Sequence, residues 1–321
     1  MYKKSDIRAI LIVKTSSLGD IIQSFPVLDY LRARFPPVVI DWVVKGSLVD
    51  IVAGHPFVRH AIPLGDWKRL RQEKYDVVFD LQKNTKSGIV TALSRAKVKV
   101  GFGWQSVREW PNVLFTNCRF EVPKDINIRL QYVRLVQRYF DDQTEVLGQK
   151  APRKTGKKIM VCPGSKWVNK QLPVETWIEV LKKISGNFYL MWGSEAEKAM
   201  CEEITRQVGH SMVVDKLSLT DWQTLMGEMD LVIAVDSSAL HLAGYVNTPT
   251  FSVFGPTRPE IFKPLGDHHL AIQGTCPYAM RFEKQCPALR TCKTGACMKN
   301  FSAEQIVQSL LQFFDAAGQR G

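Results

Sequence analysis

Short apolar runs alternate along most of this chain with longer segments of helical hydrophobic periodicity. Such alternation predicts a mostly parallel β-sheet that helices cover on both faces. In the first half we expect strands at Ala9–Val13, Val38–Val43, Val77–Phe79 and Lys99–Gly101. In the second half we expect strands at Ile159–Val161, Phe188–Trp192, Met212–Val214, Leu231–Ala234 and Thr250–Phe254.

Helical patterns fill the segments between these strands. The first is an amphipathic helix whose apolar stripe is Ile21, Ile22, Phe25, Leu28 and Leu31. Later helices are expected at Val174–Ile184, Glu195–Val208, Leu219–Met226 and Ser238–Tyr245, with a closing helix around Ile306 to Phe314. Apolar periodicity is lost from Asp141 to Lys158, which indicates a linker. We therefore predict two doubly wound α/β domains, residues 1–150 and 151–321, that face a central cleft.

Composition and charge narrow the class of protein. The 321 residues are 45% hydrophobic and 23% charged, which is ordinary for a globular chain of two domains. The net charge is +12, and residues 1–150 carry most of the excess, with 24 basic and 15 acidic side chains. A basic surface suits nucleic acid, an anionic membrane face or a phosphorylated substrate. Neither an apolar run of roughly 18 residues nor a signal-peptide pattern is present, so we expect a cytoplasmic protein.

A small polar loop ending in a carboxylate, Lys14 to Asp20, lies between the first strand and the first helix. In an open α/β sheet, ligands bind beyond the carboxyl ends of the strands. Asp20 is therefore a candidate general base. The alternative is that it only caps the helix.

The second half contains two loops suited to an anion. Pro163-Gly164-Ser165 follows a strand and has Lys170 shortly after it, and Asp236-Ser237-Ser238 precedes a helix that carries His241. A helix N-terminus offers free N–H groups and a positive dipole end to phosphate. Glu197, after another strand, is suited to ribose hydroxyls or to a helix cap. Neither a Walker A sequence nor a Gly-x-Gly-x-x-Gly fingerprint is present, which argues against P-loop and dinucleotide enzymes.

Two further clusters are candidate binding sites. Basic and amide side chains in the first half suit a phosphorylated or carboxylated acceptor; they are Lys68, Arg69, Arg71, Gln82, Lys86 and Arg108. Near the C-terminus lie Cys276, Cys286, Cys292 and Cys297. Four thiolates this close in sequence suit a tetrahedral zinc or iron site, although no Cys-x-x-Cys spacing is present. Reduced thiols and a local disulfide are the alternatives.

Taken together, these motifs resemble those of the heptosyltransferases of glycosyltransferase family 9, in particular the type I lipopolysaccharide branch. The resemblance covers nearly the full length. Its matching segments are Lys14 to Asp20, Phe25-Pro26, Tyr75-Asp76, Asp80-Leu81-Gln82, Pro163-Gly164-Ser165 with Lys170, Asp236 to His241, and Phe254-Gly255-Pro256-Thr257. It implies the GT-B arrangement of two Rossmann-like domains, with the acceptor on the first and ADP-heptose on the second.

The resemblance also implies a role for each candidate residue. Asp20 is the catalytic base, Glu197 binds the ribose, Asp236 contacts the heptose and His241 supports the site. The diphosphate is held by Ser165, Lys170 and the backbone at Ser237 and Ser238. Arg69 and Arg108 fall in segments that resemble the acceptor-binding region. No cofactor is required for the transfer.

The expected reaction is inverting transfer of heptose to the Kdo region of a lipid A precursor, at the inner face of the cytoplasmic membrane. Two other acceptors remain open, an inner-core heptose and a protein hydroxyl. The protein-modifying branch of the family binds iron, which makes the four cysteines relevant to that choice. Nucleic-acid binding is disfavoured, because the basic residues are not interleaved with aromatic residues along a strand.

Overall fold

The computed structural model describes residues 7–145, 152 and 157–318, with side chains described through residue 314. The chain divides into two compact units, Met1–Val146 and Leu147–Gly321. Each unit contains a six-stranded sheet whose strands all pair in parallel. This confirms the predicted α/β class. The linker expected between Asp141 and Lys158 falls largely outside the described residues.

The first sheet has the strand order β3-β2-β1-β4-β5-β6. Its strands are β1 (Ala9–Val13), β2 (Val39–Val44), β3 (His60–Pro63), β4 (Tyr75–Asp80), β5 (Ala96–Phe102) and β6 (Cys118–Phe120). The helices are α1 (Leu18–Ile22), α2 (Pro26–Arg34), α3 (Val49–Ala53), α4 (Trp67–Leu70), α5 (Thr85–Leu93) and α6 (Ile128–Phe140), with 3-10 helices at Gly46–Leu48 and Trp110–Phe115. β1 is apolar on both faces and fully buried from Ile10 onward, as expected for a central strand.

The second sheet has the strand order β12-β11-β10-β7-β8-β9. Its strands are β7 (Lys158–Cys162), β8 (Asn187–Leu190), β9 (Ser211–Val213), β10 (Leu231–Val235), β11 (Thr250–Phe254) and β12 (His269–Gln273). The helices are α7 (Val174–Lys182), α8 (Glu195–Gln207), α9 (Leu219–Glu228), α10 (Ser238–Tyr245), α11 (Pro259–Phe262), α12 (Ala296–Lys299) and α13 (Ala303–Gly318), with a 3-10 helix at Val168–Lys170.

Both sheets follow the Rossmann order, in which the chain leaves the middle of the sheet in one direction and then resumes in the other. The reversal lies between β1 and β4 in the first unit and between β7 and β10 in the second. At such a reversal the connecting loops diverge, and a crevice opens beyond the carboxyl ends of the two strands. The topology therefore singles out one ligand crevice in each unit.

The structure departs from the sequence expectations in two respects. The single amphipathic helix expected after β1 is two helices, because Pro26 has no N–H to continue α1 and instead begins α2. The strands β3, β6 and β12 were not predicted. Each lies at the edge of its sheet and is only partly buried, so the short apolar run that marks a central strand is missing.

Within the described residues, no helix has the length and apolar character needed to cross a bilayer.

The buried imidazole of His55 gives the first unit a pH-dependent stability. It stacks on Phe25, with ring centroids 4.9 Å apart, and its Nδ1 accepts from the Phe57 N–H at 3.2 Å. Burial lowers the pKa of His55 from 6.5 to about 4. The unfolded chain therefore takes up a proton at a higher pH than the folded chain, and stability falls as the pH drops from 7 towards 4.

Between pH 7 and pH 5 we expect His55 to cost the fold about 2 kcal/mol. Urea unfolding of the wild type and of His55→Asn at the two pH values measures this. Asparagine can still accept from the Phe57 N–H but does not titrate, so the variant should be less stable at pH 7 and lose less on acidification. An equal loss in both proteins would exclude His55 as the cause.

Candidate active site

Asp20 lies beside the crevice at the end of β1, in the first turn of α1. Its Oδ2 accepts from the backbone N–H of Ser17 at 3.1 Å and from the Ser17 hydroxyl at 2.7 Å. The side chain is partly exposed. Asp20 therefore makes the contacts of a helix cap. Its carboxylate is nevertheless accessible to a substrate hydroxyl.

The loop that carries Asp20 is held from the neighbouring strand β4 by Gln82. The amide oxygen of Gln82 accepts from the N–H groups of Thr15 and Ser16, at 3.0 and 3.2 Å. Gln82 is in turn fixed by Asp80, whose Oδ1 accepts from the Gln82 N–H at 2.9 Å. Gln82 thus joins the two loops at the crevice, a positioning role that the acceptor-binding prediction did not include.

Asp80 is fully buried at the end of β4 and receives several hydrogen bonds. Besides the Gln82 N–H, Ser87 Oγ donates to it at 2.8 Å and Asn112 Nδ2 at 2.7 Å. Burial raises the pKa of Asp80, and these hydrogen bonds oppose the rise. The network connects β4, α5 and the 3-10 helix Trp110–Phe115 into one support beneath the loops.

The side chain of Lys14, directly after β1, is buried and is influenced by the charges of both carboxylates of this crevice. Burial lowers its pKa, while the charges of Asp20 and Asp80 raise it and that of Arg108 lowers it. Its Nζ is 4.9 Å from the centroid of the Tyr132 ring. The sequence analysis assigned no role to Lys14. Because its charge interacts with those of Asp20 and Asp80, it contributes to the electrostatics of the site.

The candidate acceptor residues fall at two places on the first unit. Gln82, Lys86 and Arg108 follow the adjacent strands β4 and β5, and the Arg108 N–H donates to the Lys83 carbonyl at 3.2 Å. Lys68, Arg69 and Arg71 lie in or just after α4, beyond the edge strand β3. All of these side chains are exposed except that of Gln82.

A cavity of about 380 Å³ lies beside the α4 group of basic residues. Lys68 and Arg69 line it together with Asp41, His60 and Asp66. The structure therefore does not gather all the candidate acceptor residues at one point. Those that follow β4 and β5 are nearer in the sheet to β1, which carries the Asp20 loop.

In the second unit, an ion pair lies at the crevice between β7 and β10. Lys170 Nζ is 2.6 Å from Asp236 Oδ2, and both side chains are largely buried. Thr257 Oγ1 donates to the same oxygen at 2.6 Å, and His241 Nε2 lies 3.6 Å from the other one. Burial alone would raise the pKa of Asp236, but Lys170 and His241 hold it below its usual value.

Asp236 is thus the centre of a cluster that three strand ends supply. Lys170 and His241 were candidates from the sequence. Thr257 was part of a quoted motif but had no assigned role. The sequence pattern could have placed Thr257 near Asp236, because Thr257 follows β11, the neighbour of the strand that carries Asp236.

The loop after β7 and the start of α8 are in close contact. A Cβ at Gly164 would lie 2.4 Å from the carboxyl carbon of Glu197, so glycine here allows the Glu197 side chain to approach the loop closely. Glu197 Oε2 accepts from the N–H groups of Gly193 and Ser194, at 2.7 and 3.2 Å. Ser165 is buried, and its carbonyl accepts from Gln171 Nε2 at 2.6 Å. Glu197 and the Ser165 loop therefore line the same end of the sheet.

The N-terminus of α10 carries an unusual hydroxyl. Ser237 is the N-cap residue, but its side chain makes no capping hydrogen bond. Its Oγ is buried without a hydrogen-bond partner among the described residues. A buried hydroxyl that lacks a partner is costly, so it indicates a ligand group that completes it. The next residue, Ser238, begins the helix.

The four C-terminal cysteines line one cavity of about 470 Å³. Burial, together with the charges of the other three thiols, raises the pKa of Cys297 to about 11. The hydroxyl of Thr294 lowers the pKa of Cys292. Across the described residues, no group of three or more His, Cys, Asp or Glu side chains is arranged to hold a metal ion. The metal site at Cys276, Cys286, Cys292 and Cys297 remains a prediction from their spacing.

Comparisons with known proteins agree with this architecture. The family model of glycosyltransferase family 9 (heptosyltransferase) matches residues 66–291. Lipopolysaccharide heptosyltransferase 1 of Pseudomonas aeruginosa is 28% identical over 308 residues, covering 86% of this chain and 87% of the relative. Its counterpart in Escherichia coli K12 is 26% identical over 297 residues, covering 82% and 93%.

A solved structure, E. coli heptosyltransferase WaaC with ADP, superposes with a TM-score of 0.80 at 22% identity. The superposition covers 95% of this chain and 99% of that one. At this level of identity the likeness concerns the fold alone. It confirms the predicted GT-B class of two Rossmann-like units.

Proposed function

The chain belongs to glycosyltransferase family 9, and we propose that it transfers heptose from ADP-heptose to a lipopolysaccharide precursor. The observation that carries the proposal is the crevice of the second unit. There a lysine, the N-terminus of an eight-residue helix and a buried, unpartnered serine hydroxyl surround one position. Positive charge and donors of this kind suit a diphosphate.

The donor is assigned to the second unit residue by residue. Lys170 and the N–H groups and hydroxyls of Ser237 and Ser238 bind the diphosphate, with Ser165 beside them. Glu197 accepts from the ribose hydroxyls. Asp236, held ionised by Lys170, accepts from heptose hydroxyls, and His241 keeps its orientation. The names of the curated relatives and the solved structure with ADP support this assignment.

The acceptor and the base are assigned to the first unit. An acceptor hydroxyl attacks the anomeric carbon of heptose, and the bond from that carbon to the ADP oxygen breaks. Attack from the face opposite the ADP inverts the anomeric centre, and Asp20 takes the hydroxyl proton as the one base required. Lys86 and Arg108, with Lys68, Arg69 and Arg71 further along the sheet, offer positive charge to an anionic acceptor.

Negative charge develops on the departing ADP, and residues of the second unit are suited to stabilise it. Lys170 supplies a full positive charge and α10 supplies the positive end of its dipole. The proposal therefore assigns this task to the protein and needs no resident cofactor. We further propose the Kdo region of lipid A as the acceptor, reached by peripheral contact with the inner face of the cytoplasmic membrane.

Turnover of ADP-heptose by the purified chain tests the function. The assay compares a Kdo-bearing lipid A acceptor with an acceptor that ends in inner-core heptose and with a serine-containing protein, in buffer with EDTA. We expect release of ADP only with the Kdo acceptor. Transfer to one of the other acceptors instead would show that the proposed Kdo acceptor is wrong and that the proposed donor, ADP-heptose, is right. A requirement for added divalent metal would contradict the role given to Lys170 and α10.

A further inference from the structure

We propose that the first unit docks on the surface of an anionic bilayer through one apolar patch. The proposal rests on the proposed function, because a lipid-linked acceptor is what brings the chain to a membrane. The docking patch comprises Ile89 and Leu93 on α5, Trp104 after β5, and Trp110 and Leu114 on the following 3-10 helix.

All five side chains of the docking patch are exposed. Leu114 is 67% accessible, Trp110 is 62% and Trp104 is 57%. The residues between Trp110 and Leu114 point inward, since Asn112 and Val113 are buried. The 3-10 helix therefore packs through Asn112, Val113 and Phe115 and leaves Trp110 and Leu114 in solvent. Large exposed apolar surfaces mark sites of interaction.

The two helical elements of the patch are in direct contact. A Cβ at Gly88 of α5 would lie 2.5 Å from Cδ2 of Phe115, and Asn112 Nδ2 donates to the Asn84 carbonyl at 2.7 Å. Ile89 and Leu93 are one helical turn apart and stand beside this contact. The exposed residues of α5 and of the 3-10 helix thus lie on two elements that pack together, and the Asp80 network joins both elements. Trp104 lies in the loop between β5 and this 3-10 helix.

The segment that carries the docking patch is strongly basic, which favours an anionic partner. Residues 83–124 contain eight Lys or Arg and two Glu. Both carboxylates are engaged locally: Glu109 accepts from Thr85, and Glu121 from Gln105 and Ser106. The exposed basic residues of the segment are Lys86, Arg95, Lys97, Arg108, Arg119 and Lys124.

An apolar surface on a strongly basic segment is complementary to an anionic bilayer. Tryptophan partitions to the interface between headgroups and acyl chains, while Lys and Arg contact the headgroups. A second copy of the chain would present the same positive charge and be repelled. The docking patch also adjoins Lys86 and Arg108, so docking would hold these candidate acceptor residues at the level of the headgroups.

Partition of the full chain onto vesicles tests the proposal. The probe is phosphatidylcholine vesicles with or without phosphatidylglycerol, and the variant is Trp104→Ser with Trp110→Ser. We expect the wild type to bind only the vesicles with phosphatidylglycerol and to be released by salt. The double variant should bind about tenfold more weakly or worse. Trp67→Ser is the matched control, since Trp67 is an exposed tryptophan beyond β3, near the opposite edge of the sheet; it should bind as the wild type does.

The outcomes separate docking from catalysis. Transfer to a deacylated, water-soluble acceptor should proceed at the wild-type rate in the double variant, which also shows that it is folded. Equal vesicle binding by the double variant and the wild type would overturn the docking proposal. So would a concentration-dependent dimer that the double variant loses, without vesicle binding. If the wild type binds vesicles through the patch but transfers heptose to no acceptor, docking stands and the proposed function fails.

Discussion

Asp20→Asn is expected to reduce the turnover number by about 10²–10⁴-fold, the usual contribution of a general base. Asparagine has the shape of aspartate and can still accept hydrogen bonds from Ser17, so the cap of α1 largely survives. It cannot accept the proton of the attacking hydroxyl. The KM values for donor and acceptor should change little, because the loss is in the chemical step. Steady-state kinetics with ADP-heptose and the preferred acceptor measures this.

The chain offers a matched control for the capping role of Asp20. Asp221 in α9 stands in the same Ser-x-x-Asp arrangement, with Ser218 Oγ 2.7 Å from Asp221 Oδ2. Asp221→Asn should therefore have a comparable small effect on stability and leave turnover unchanged. If Asp20→Asn transfers heptose at nearly the wild-type rate, Asp20 is a helix cap and nothing more, and the base lies elsewhere.

The central part of each sheet was predictable from the sequence, because strands such as β1 and β10 are buried on both faces and are therefore continuously apolar. Three of the four edge strands were not: β6 (Cys118–Phe120), for example, is only partly buried and has no continuous apolar run. The fourth, β9, was predicted at Met212–Val214 and lies at Ser211–Val213. The same reasoning applies to the docking patch. It lies on a short helix and a 3-10 helix, and periodicity along the chain does not show that they share a surface.

The candidate site likewise contains residues that the sequence could predict and supporting contacts that it could not. Asp236 directly follows a strand, and Asp20, Lys170 and Glu197 lie within eight residues of a strand end, so the strand pattern already assigns them to carboxyl ends. The supporting contacts join residues far apart in the chain. Asn112 reaches Asp80 across 32 positions, and Gln82 holds the Asp20 loop from 66 or 67 positions away. Only the strand order brings such residues together, and one sequence does not reveal it.

The two crevices support their charges differently, which bears on what each can bind. In the first, a buried lysine lies among carboxylates beside an accessible aspartate. In the second, a lysine holds a buried aspartate ionised, and the lysine, the helix dipole and the serine hydroxyl offer positive charge and donors to a ligand. The first arrangement is suited to receiving a proton and the second to receiving an anion.

Lys170→Met is expected to lower both kcat/KM for ADP-heptose and the free energy of unfolding. Without the ammonium group, kcat/KM for ADP-heptose should fall by about 10²–10³-fold, since one donor to the departing charge is lost. Methionine keeps the length and apolar stem of lysine, so packing is largely retained. Asp236, however, is left buried without its cation, and the fold should lose about 3 kcal/mol at neutral pH.

The pH dependence of that loss distinguishes a broken ion pair from a packing defect. In the wild type Lys170 and His241 hold the pKa of Asp236 below its unfolded value, so the stabilisation is present above that value and disappears as the pH falls through the folded one. In the variant, burial acts with one fewer opposing charge and raises the pKa. The stability gap between the two proteins should therefore be widest at neutral pH and narrow towards pH 4 in urea titrations.

Lys166→Met, four positions earlier and exposed, is the matched control and should match the wild type in both measurements. A gap that stays constant with pH would mean that the pair contributes through packing alone, and a normal kcat/KM would remove Lys170 from the donor site.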